Sequence, residues 1–500
     1  MTRLRPLRLL LASATGLALA AAFPPLNVPL LAWISLAGLM RACLGASPGL
    51  ALLGGFLHGA AFYTFTLSWV YTVMRVHGGL AVAPAAGVLA LLVAVMSLFP
   101  AAFALGLAYL GRRSALRALF AAPFLWVAVE LARMHVPLHG LPWNLLGYAV
   151  ADHLGLLQIV SWTGIYGLSF VVAAYNAMLA AMLAGRARRA WTAGLAATVV
   201  LLAVALLGHR FVPLEQPRHL ARLVQTNFPQ SPSYPADWME RHAADLDELE
   251  RLSIGPPKNS VGLVVWPEVP APFSLQDPKF AVRAERIARA SQNHFLVGIV
   301  DWEPVPGGGL APYNGAALLD PTGRRVFLYD KIHLVPFGEY VPLRRWLTFA
   351  KRLTAEVGDF QPGSAYSVAE VPGGKFGVFI CFEAIFPAEV GRFVTGGAEL
   401  LLNLSNDGWF GRSAAPDQHL AMARVRAAEN RRWLLRATNT GYTVAVDPYG
   451  RYRAQLEPDR RGALEAPYDF RSDLTLYSRL GDWWAWLCVG ATALACVRRK

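Results

Sequence analysis

A thiol, a carboxylate and an ammonium, each closing an apolar run, are the groups in this chain best suited to chemistry. The first run is Val378-Phe379-Ile380-Cys381-Phe382-Glu383. Cys381 is a candidate nucleophile, although a Cys after an apolar run is commonly small core packing. The second is Val264-Val265-Trp266-Pro267-Glu268, and the third contains Tyr329-Asp330-Lys331. Taken singly, Glu268 reads as a solvated strand end and Lys331 as a surface ammonium. Together they form a coherent set. Glu268 can take the thiol proton as general base and return it to a leaving group as general acid. Lys331 can lower the thiol pKa and stabilise the oxyanion of a tetrahedral intermediate. Cys381 then attacks a carbonyl and forms a thioester.

These residues need a rigid scaffold, and the sequence predicts one from about residue 219 onward. Strands are expected over 221–227, 261–266, 294–301, 315–320, 375–381, 399–405 and 443–447. Helices are expected over 242–252, 278–292 and 416–432; in the second, Phe280, Val282 and Ile287 recur at helical spacing. Continuous apolar runs such as Leu400-Leu401-Leu402 suit strands buried on both faces. The fold expected is an α/β layered domain.

The rest of the chain is of another kind. Of 500 residues, 55% are hydrophobic and only 16% charged, against roughly a quarter charged in soluble proteins. Eight apolar segments, 8–24, 26–42, 50–73, 82–110, 115–132, 156–184, 190–209 and 482–497, are long enough or nearly so to cross a hydrocarbon core of about 30 Å. The domains expected are a transmembrane helical part over 1–212 with about seven spans, a catalytic part over 219–470 and a closing transmembrane helix over 482–497. Arg3, Arg5, Arg8, Arg41, Arg112, Arg113, Arg117, Arg186, Arg188, Arg189, Arg498, Arg499 and Lys500 all fall on one side if every segment spans. That side is cytoplasmic, so the inserted domain lies outside the cytoplasm. Arg3–Arg8 with the apolar run to Ala18-Leu19-Ala20 also fits a signal peptide; its removal would leave the domain on the same side.

Several classes drop out. The net charge of +13 sits largely at helix ends and does not argue for nucleic acid. Among the four cysteines, Cys43, Cys488 and Cys496 lie in apolar segments and only Cys381 in the soluble part, with no spacing for zinc. His242, His294, His333 and His419 are not grouped for a metal. No cofactor is expected. In the loop 134–155, Trp143 and Tyr148 suit an interfacial aromatic belt, or the loop lines the mouth of a lipid site. Over 341–363, Arg344, Arg345, Lys351 and Arg352 interleave with Leu343, Trp346, Leu347, Phe349 and Leu353, as in an amphipathic arm on a membrane surface.

Trp266-Pro267-Glu268, then Asp330-Lys331-Ile332-His333-Leu334-Val335-Pro336-Phe337-Gly338-Glu339, then Cys381-Phe382-Glu383, in that order, resemble the nitrilase, or carbon–nitrogen hydrolase, superfamily. Asn403-Leu404-Ser405-Asn406-Asp407-Gly408-Trp409-Phe410-Gly411 fits the same superfamily. With apolar segments on both sides, the whole chain resembles the apolipoprotein N-acyltransferase family of Gram-negative bacteria. The resemblance implies an α-β-β-α sandwich inserted in a multi-span membrane domain. It implies Glu268 as general base, Lys331 as the triad lysine and Cys381 as nucleophile. It further implies supporting or substrate-positioning roles for Glu339, Glu383, Asn314, Ser405 and Tyr234. Phe382 stands where Tyr is common, and Tyr234 where a Trp is found.

The reaction implied is ping-pong acyl transfer, from a membrane phospholipid donor to the N-terminal amine of a diacylated apolipoprotein acceptor. The setting implied is the bacterial inner membrane, with the catalytic domain facing the periplasm. Two alternatives remain at this level. One is a membrane-bound amidase, for which a single anchor would suffice. The other is a transporter or scaffold whose domain only binds a ligand. A transporter would show more ionisable residues in its spans than Glu130 and His58.

Overall fold

The computed structural model describes residues 4–137, 140–184, 188–231, 234–255, 261–304, 308–342 and 359–497. Most of the amphipathic stretch expected over 341–363 lies outside the described residues.

The apolar segments of the first half all fall on helices. Val82–Gly111, Ala115–His135, Ile165–Leu183 and Gly194–Phe211 are each long and apolar enough to cross a membrane. Pro48–Thr66 and Trp69–Val76 make a fifth candidate, bent by 52° where they meet. Pro29–Cys43, Leu154–Thr163 and, near the end of the chain, Trp483–Cys496 are apolar but shorter. At 30 residues, Val82–Gly111 is about 45 Å long and exceeds the thickness of a hydrocarbon core. Pro48–Thr66 lies against it through small residues. A Cβ on Gly55 would meet the Pro100 carbonyl oxygen at 2.4 Å, and one on Gly59 the Ser97 Cα at 2.8 Å. Lipid tails give no hydrophobic drive between helices, so such close backbone approach supplies the packing instead. The outward faces carry Leu91, Leu98, Phe120, Leu195, Val199 and Leu206, all exposed, as a lipid-facing surface requires.

The second half builds two six-stranded sheets. Its strands are β1 (His219–Gln225), β2 (Val261–Val265), β3 (His294–Pro304), β4 (Leu310–Leu319), β5 (Arg325–Asp330), β6 (Val368–Val371), β7 (Gly374–Ile380), β8 (Leu400–Ser405), β9 (Trp433–Thr438), β10 (Thr443–Val446), β11 (Tyr452–Leu456) and β12 (Gly462–Tyr468). One sheet runs β12-β1-β2-β3-β4-β5, the other β11-β10-β9-β8-β7-β6. β1-β2-β3 and β7-β8-β9 are parallel; the outer pairs are antiparallel. Alternation decides the layering. Ala221, Leu223, Leu263, Val265, Leu296, Ala316 and Leu318 face the second sheet. Their neighbours Val224, Val264, Phe295, Val297, Ala317 and Leu319 pack on the helices Ala243–Ile254 and Pro278–Ser291. Helices Pro387–Thr395 and Ala415–Asn430 cover the other sheet, completing an α-β-β-α sandwich.

Ala415–Asn430 also seats the sandwich on the membrane helices. Ile165 N donates to Glu429 Oε1 (2.9 Å), Arg426 Nη2 donates to the Tyr148 hydroxyl (2.8 Å), and Trp143 Nε1 donates to Gln418 Oε1 (2.6 Å). Gln418 Nε2 in turn donates to the Pro24 carbonyl at 3.1 Å. Trp143 and Tyr148 are thus buried against this helix and do not form an interfacial belt. Their indole and hydroxyl find partners in the sandwich, and a lipid headgroup layer offers no equally fixed acceptors.

Candidate active site

β2 leads into Trp266-Pro267-Glu268. The Trp266 indole donates to Ser253 Oγ at 2.8 Å and anchors the turn. The turn then crosses β3 at Gly298, where a Cβ would sit 2.3 Å from the Pro267 carbonyl oxygen and 2.8 Å from Glu268 Cα. Only glycine allows that approach, and it brings the Glu268 carboxylate inward. β5 ends at Asp330, and Lys331 follows with its N–H donating to the Asn314 carbonyl of β4 (2.8 Å). β7 ends at Ile380, and Cys381 opens a short 3-10 turn in the left-handed region, at φ 48°. A non-glycine residue there carries strain of order 1–3 kcal/mol, and surrounding structure must hold it.

These three chain ends converge. Lys331 Nζ lies 3.2 Å from Glu268 Oε1 and 2.9 Å from Glu339 Oε1. Asn314 Nδ2 donates to the same two oxygens, at 2.8 and 2.6 Å. Glu268 Oε2 accepts from Asn406 N (2.9 Å), and Glu339 Oε2 from Val335 N (2.8 Å). Burial alone would discharge Lys331; the two carboxylates outweigh it and hold the ammonium well above its usual range. Burial pushes the Cys381 thiol well up, with the Glu268 charge adding to it; Lys331 pulls the other way and does not win. Lys331 thus acts on the thiol in the expected direction, but burial and the Glu268 charge outweigh it and the thiol keeps its proton at rest. Desolvation of a thiolate costs more here than one ammonium, already shared between two carboxylates, returns.

Glu383, two residues after the nucleophile, takes up the backbone on either side of the site. Its Oε1 accepts from the Tyr329 hydroxyl (2.7 Å), Ile332 N (2.8 Å) and His333 N (3.1 Å), and its Oε2 from Ile380 N (2.6 Å). It clamps the chain after Lys331 to the chain before Cys381. Burial pushes this carboxyl up to about 7, against its donors and Lys331. A folded value above the usual 4.5 means that the native state binds more protons in between, so this contribution to stability is lost as pH rises from about 4.5 to about 7. Glu383→Gln should be less stable by about 1–3 kcal/mol, because its amide NH2 faces a backbone donor. Its melting temperature should also fall less steeply than that of the wild type across the same pH window. Parallel melting curves against pH would contradict this.

Ser405, at the end of β8, donates to Asp407 Oδ1 at 2.9 Å. Tyr234 packs edge-on to Trp238 in the outer layer. The sequence reading passed over Asn406, whose backbone N–H holds Glu268. It also passed over His419, whose Nε2 lies 3.0 Å from the Cys381 carbonyl oxygen. The run Asn403–Gly411 carried a signal for the first. No spacing pointed to the second, 38 residues from Cys381.

Residues 15–178 match a family model described as the apolipoprotein N-acyltransferase N-terminal domain, and residues 220–472 match the carbon-nitrogen hydrolase model. An apolipoprotein N-acyltransferase from Geobacter metallireducens is 38% identical, across 98% of this chain and 95% of that one. One from Methylococcus capsulatus is 35% identical, across 98% and 96%. Among solved structures, an amidase from Nesterenkonia sp. is 21% identical with a TM-score of 0.38, covering 54% of this chain and 98% of that one.

Proposed function

We propose a reaction course for a chain that belongs to the apolipoprotein N-acyltransferase family: two-step transfer of a fatty acyl group through a thioester on Cys381. The enzyme is an N-acyltransferase with a carbon–nitrogen hydrolase domain on a helical membrane part. The observation that carries the reading is the buried Lys331 ammonium held between Glu268 and Glu339, whose charge also acts on the Cys381 thiol.

In the first step the Cys381 sulfur attacks an ester carbonyl of a membrane phospholipid. The thiol is neutral at rest, so its proton passes to Glu268 as the S–C bond forms. The oxygen that gains charge is stabilised by Lys331 and by the Phe382 N–H, the next donor along the chain. The ester C–O bond breaks, Glu268 returns the proton to the departing oxygen, and a lysophospholipid leaves. In the second step the N-terminal amine of a diacylglyceryl-cysteine apolipoprotein attacks the thioester. A C–N bond forms, the C–S bond breaks, and the amine proton moves through Glu268 to the sulfur. Glu339 and Asn314 keep Lys331 and Glu268 in register throughout. Burial of the cluster keeps water from the thioester.

The division into a helical part over 1–212, a catalytic part over 219–470 and a closing helix over 482–497 belongs to this reading. So does the setting: an inner membrane crossed many times, with the sandwich on the periplasmic side. The basic residues in the short links support that orientation.

The test is to incubate the full-length protein with phosphatidylethanolamine vesicles and a synthetic diacylated lipopeptide bearing a free N-terminal cysteine amine. Equal amounts of lysophospholipid and triacylated peptide are expected. Free fatty acid in place of the amide would make the protein a lipid hydrolase and overturn the proposal.

A further inference from the structure

His419 is completely buried, on the helix that seats the sandwich on the membrane part. Its Nε2 lies 3.0 Å from the Cys381 carbonyl oxygen. A carbonyl oxygen only accepts, so Nε2 carries the proton. On the other side of the ring, Arg436 Nη2 approaches Nδ1 at 3.1 Å, and Asp407 Oδ1 lies 3.2 Å away. Arg436 Nη2 also binds Asp407 at 2.9 and 2.8 Å. Arg436 offers only donors, so Nδ1 accepts from it; in keeping with a neutral ring, burial and the Arg436 charge lower the His419 pKa against the opposing pull of Asp407. The Trp143 ring, from the loop between membrane helices, stacks on His419 with centroids 5.7 Å apart and planes at 27°. Phe410 closes the edge at 5.9 Å. The ring is thus fixed on every side, with one donor aimed at the nucleophile's own carbonyl.

That carbonyl belongs to the Cys381–Phe382 peptide. In a trans peptide the C=O and the following N–H point in opposite directions. A donor fixed on the oxygen therefore fixes the direction of the Phe382 N–H and polarises it. It also opposes relaxation of Cys381 out of its left-handed conformation.

We propose that His419 is a positioning residue for acyl transfer, holding the Cys381–Phe382 peptide so that the Phe382 N–H meets the oxyanion. This rests on the thioester reading above. It also gives the membrane part, through Trp143, a mechanical hold on the nucleophile's peptide.

Two reactions of Cys381 separate this role from simple support of the fold. Acylation by p-nitrophenyl butyrate passes through an oxyanion. Alkylation by iodoacetamide, followed by the mass of the Cys381 peptide, does not. In the full-length protein, His419→Phe should lower acylation by ~10–100-fold, while alkylation changes by less than ~3-fold. His419→Gln, which keeps a donor, should recover acylation to within about 10-fold of wild type. Equal acylation by His419→Phe and wild type would overturn the proposal, and so would loss of both reactions together. If His419→Phe does not fold, His419→Gln alone decides: retained alkylation with acylation lost would overturn it. Acylation of the wild type by the ester but not by phospholipid would remove the proposed donor and leave the His419 comparison standing. No acylation of the wild type by either would remove both.

Discussion

Cys381→Ala is expected to give a folded protein that takes up no acyl mass from phospholipid. The side chain is small, and its removal leaves the clamp by Glu383 and the Lys331 cluster in place. The left-handed backbone at Cys381 is already present in the wild type, so alanine brings no new strain of that kind. Chemistry is another matter, because no other group stands at the end of β7 to form an acyl intermediate. Turnover should fall by at least ~10⁴-fold, as when a nucleophile is deleted from an enzyme that works through a covalent intermediate. The measurement is intact mass after incubation with lipid. The wild type should gain one fatty-acyl increment that hydroxylamine removes, and Cys381→Ala should gain none. Lipid turnover by Cys381→Ala at the wild-type rate would put the chemistry elsewhere.

Lys331→Met should cost both stability and rate. Lys331 is 1% exposed and is the cation between Glu268 and Glu339. Without it, the Oε1 atoms of the two buried carboxylates would share only the Asn314 amide. One of them must then take up a proton, because like charges at that separation cannot both ionise. Removing one partner of a buried ion pair costs about 3–5 kcal/mol, read as the loss in melting temperature. The rate should fall by at least ~10³-fold, because the oxyanion loses its fixed cation. The double variant Lys331→Met/Glu339→Gln separates the two effects. It removes the surplus charge, so most of the stability should return while the rate stays low. Recovery of rate along with stability would make Lys331 a packing group only.

The layered domain was legible because its strands are buried on both faces. Runs such as Leu400-Leu401-Leu402 and Val378-Phe379-Ile380 have no polar interruption, and strands stand where they were expected, within a few residues. The strand β9 escaped because Arg436 interrupts its apolar run, and a lone charge reads as surface. In the fold that guanidinium is fully buried, paired with Asp407. Burial alone would raise the Asp407 carboxyl; the Arg436 guanidinium outweighs it and holds the carboxyl well below its usual range. The pairing partner is distant in sequence, so no local pattern announced it. Trp143 misled for a related reason. An indole near a membrane helix end suits an interface in general, but here Gln418 supplies its acceptor.

The sequence by itself determined the two halves, the membrane character of the first and the three chain ends that bear Glu268, Lys331 and Cys381. Periodicity and apolar run length are local properties, and a reactive residue closing a buried run is visible as such. Tertiary structure alone decided the electrostatics. Lys331 is shared by two carboxylates, and burial leaves the thiol with its proton. It also turned Glu383 into a clamp and set His419 on the nucleophile's carbonyl. Hydrogen-bond partners and desolvation depend on which distant segments meet, and packing two sheets and a helix into one body is what brings them together.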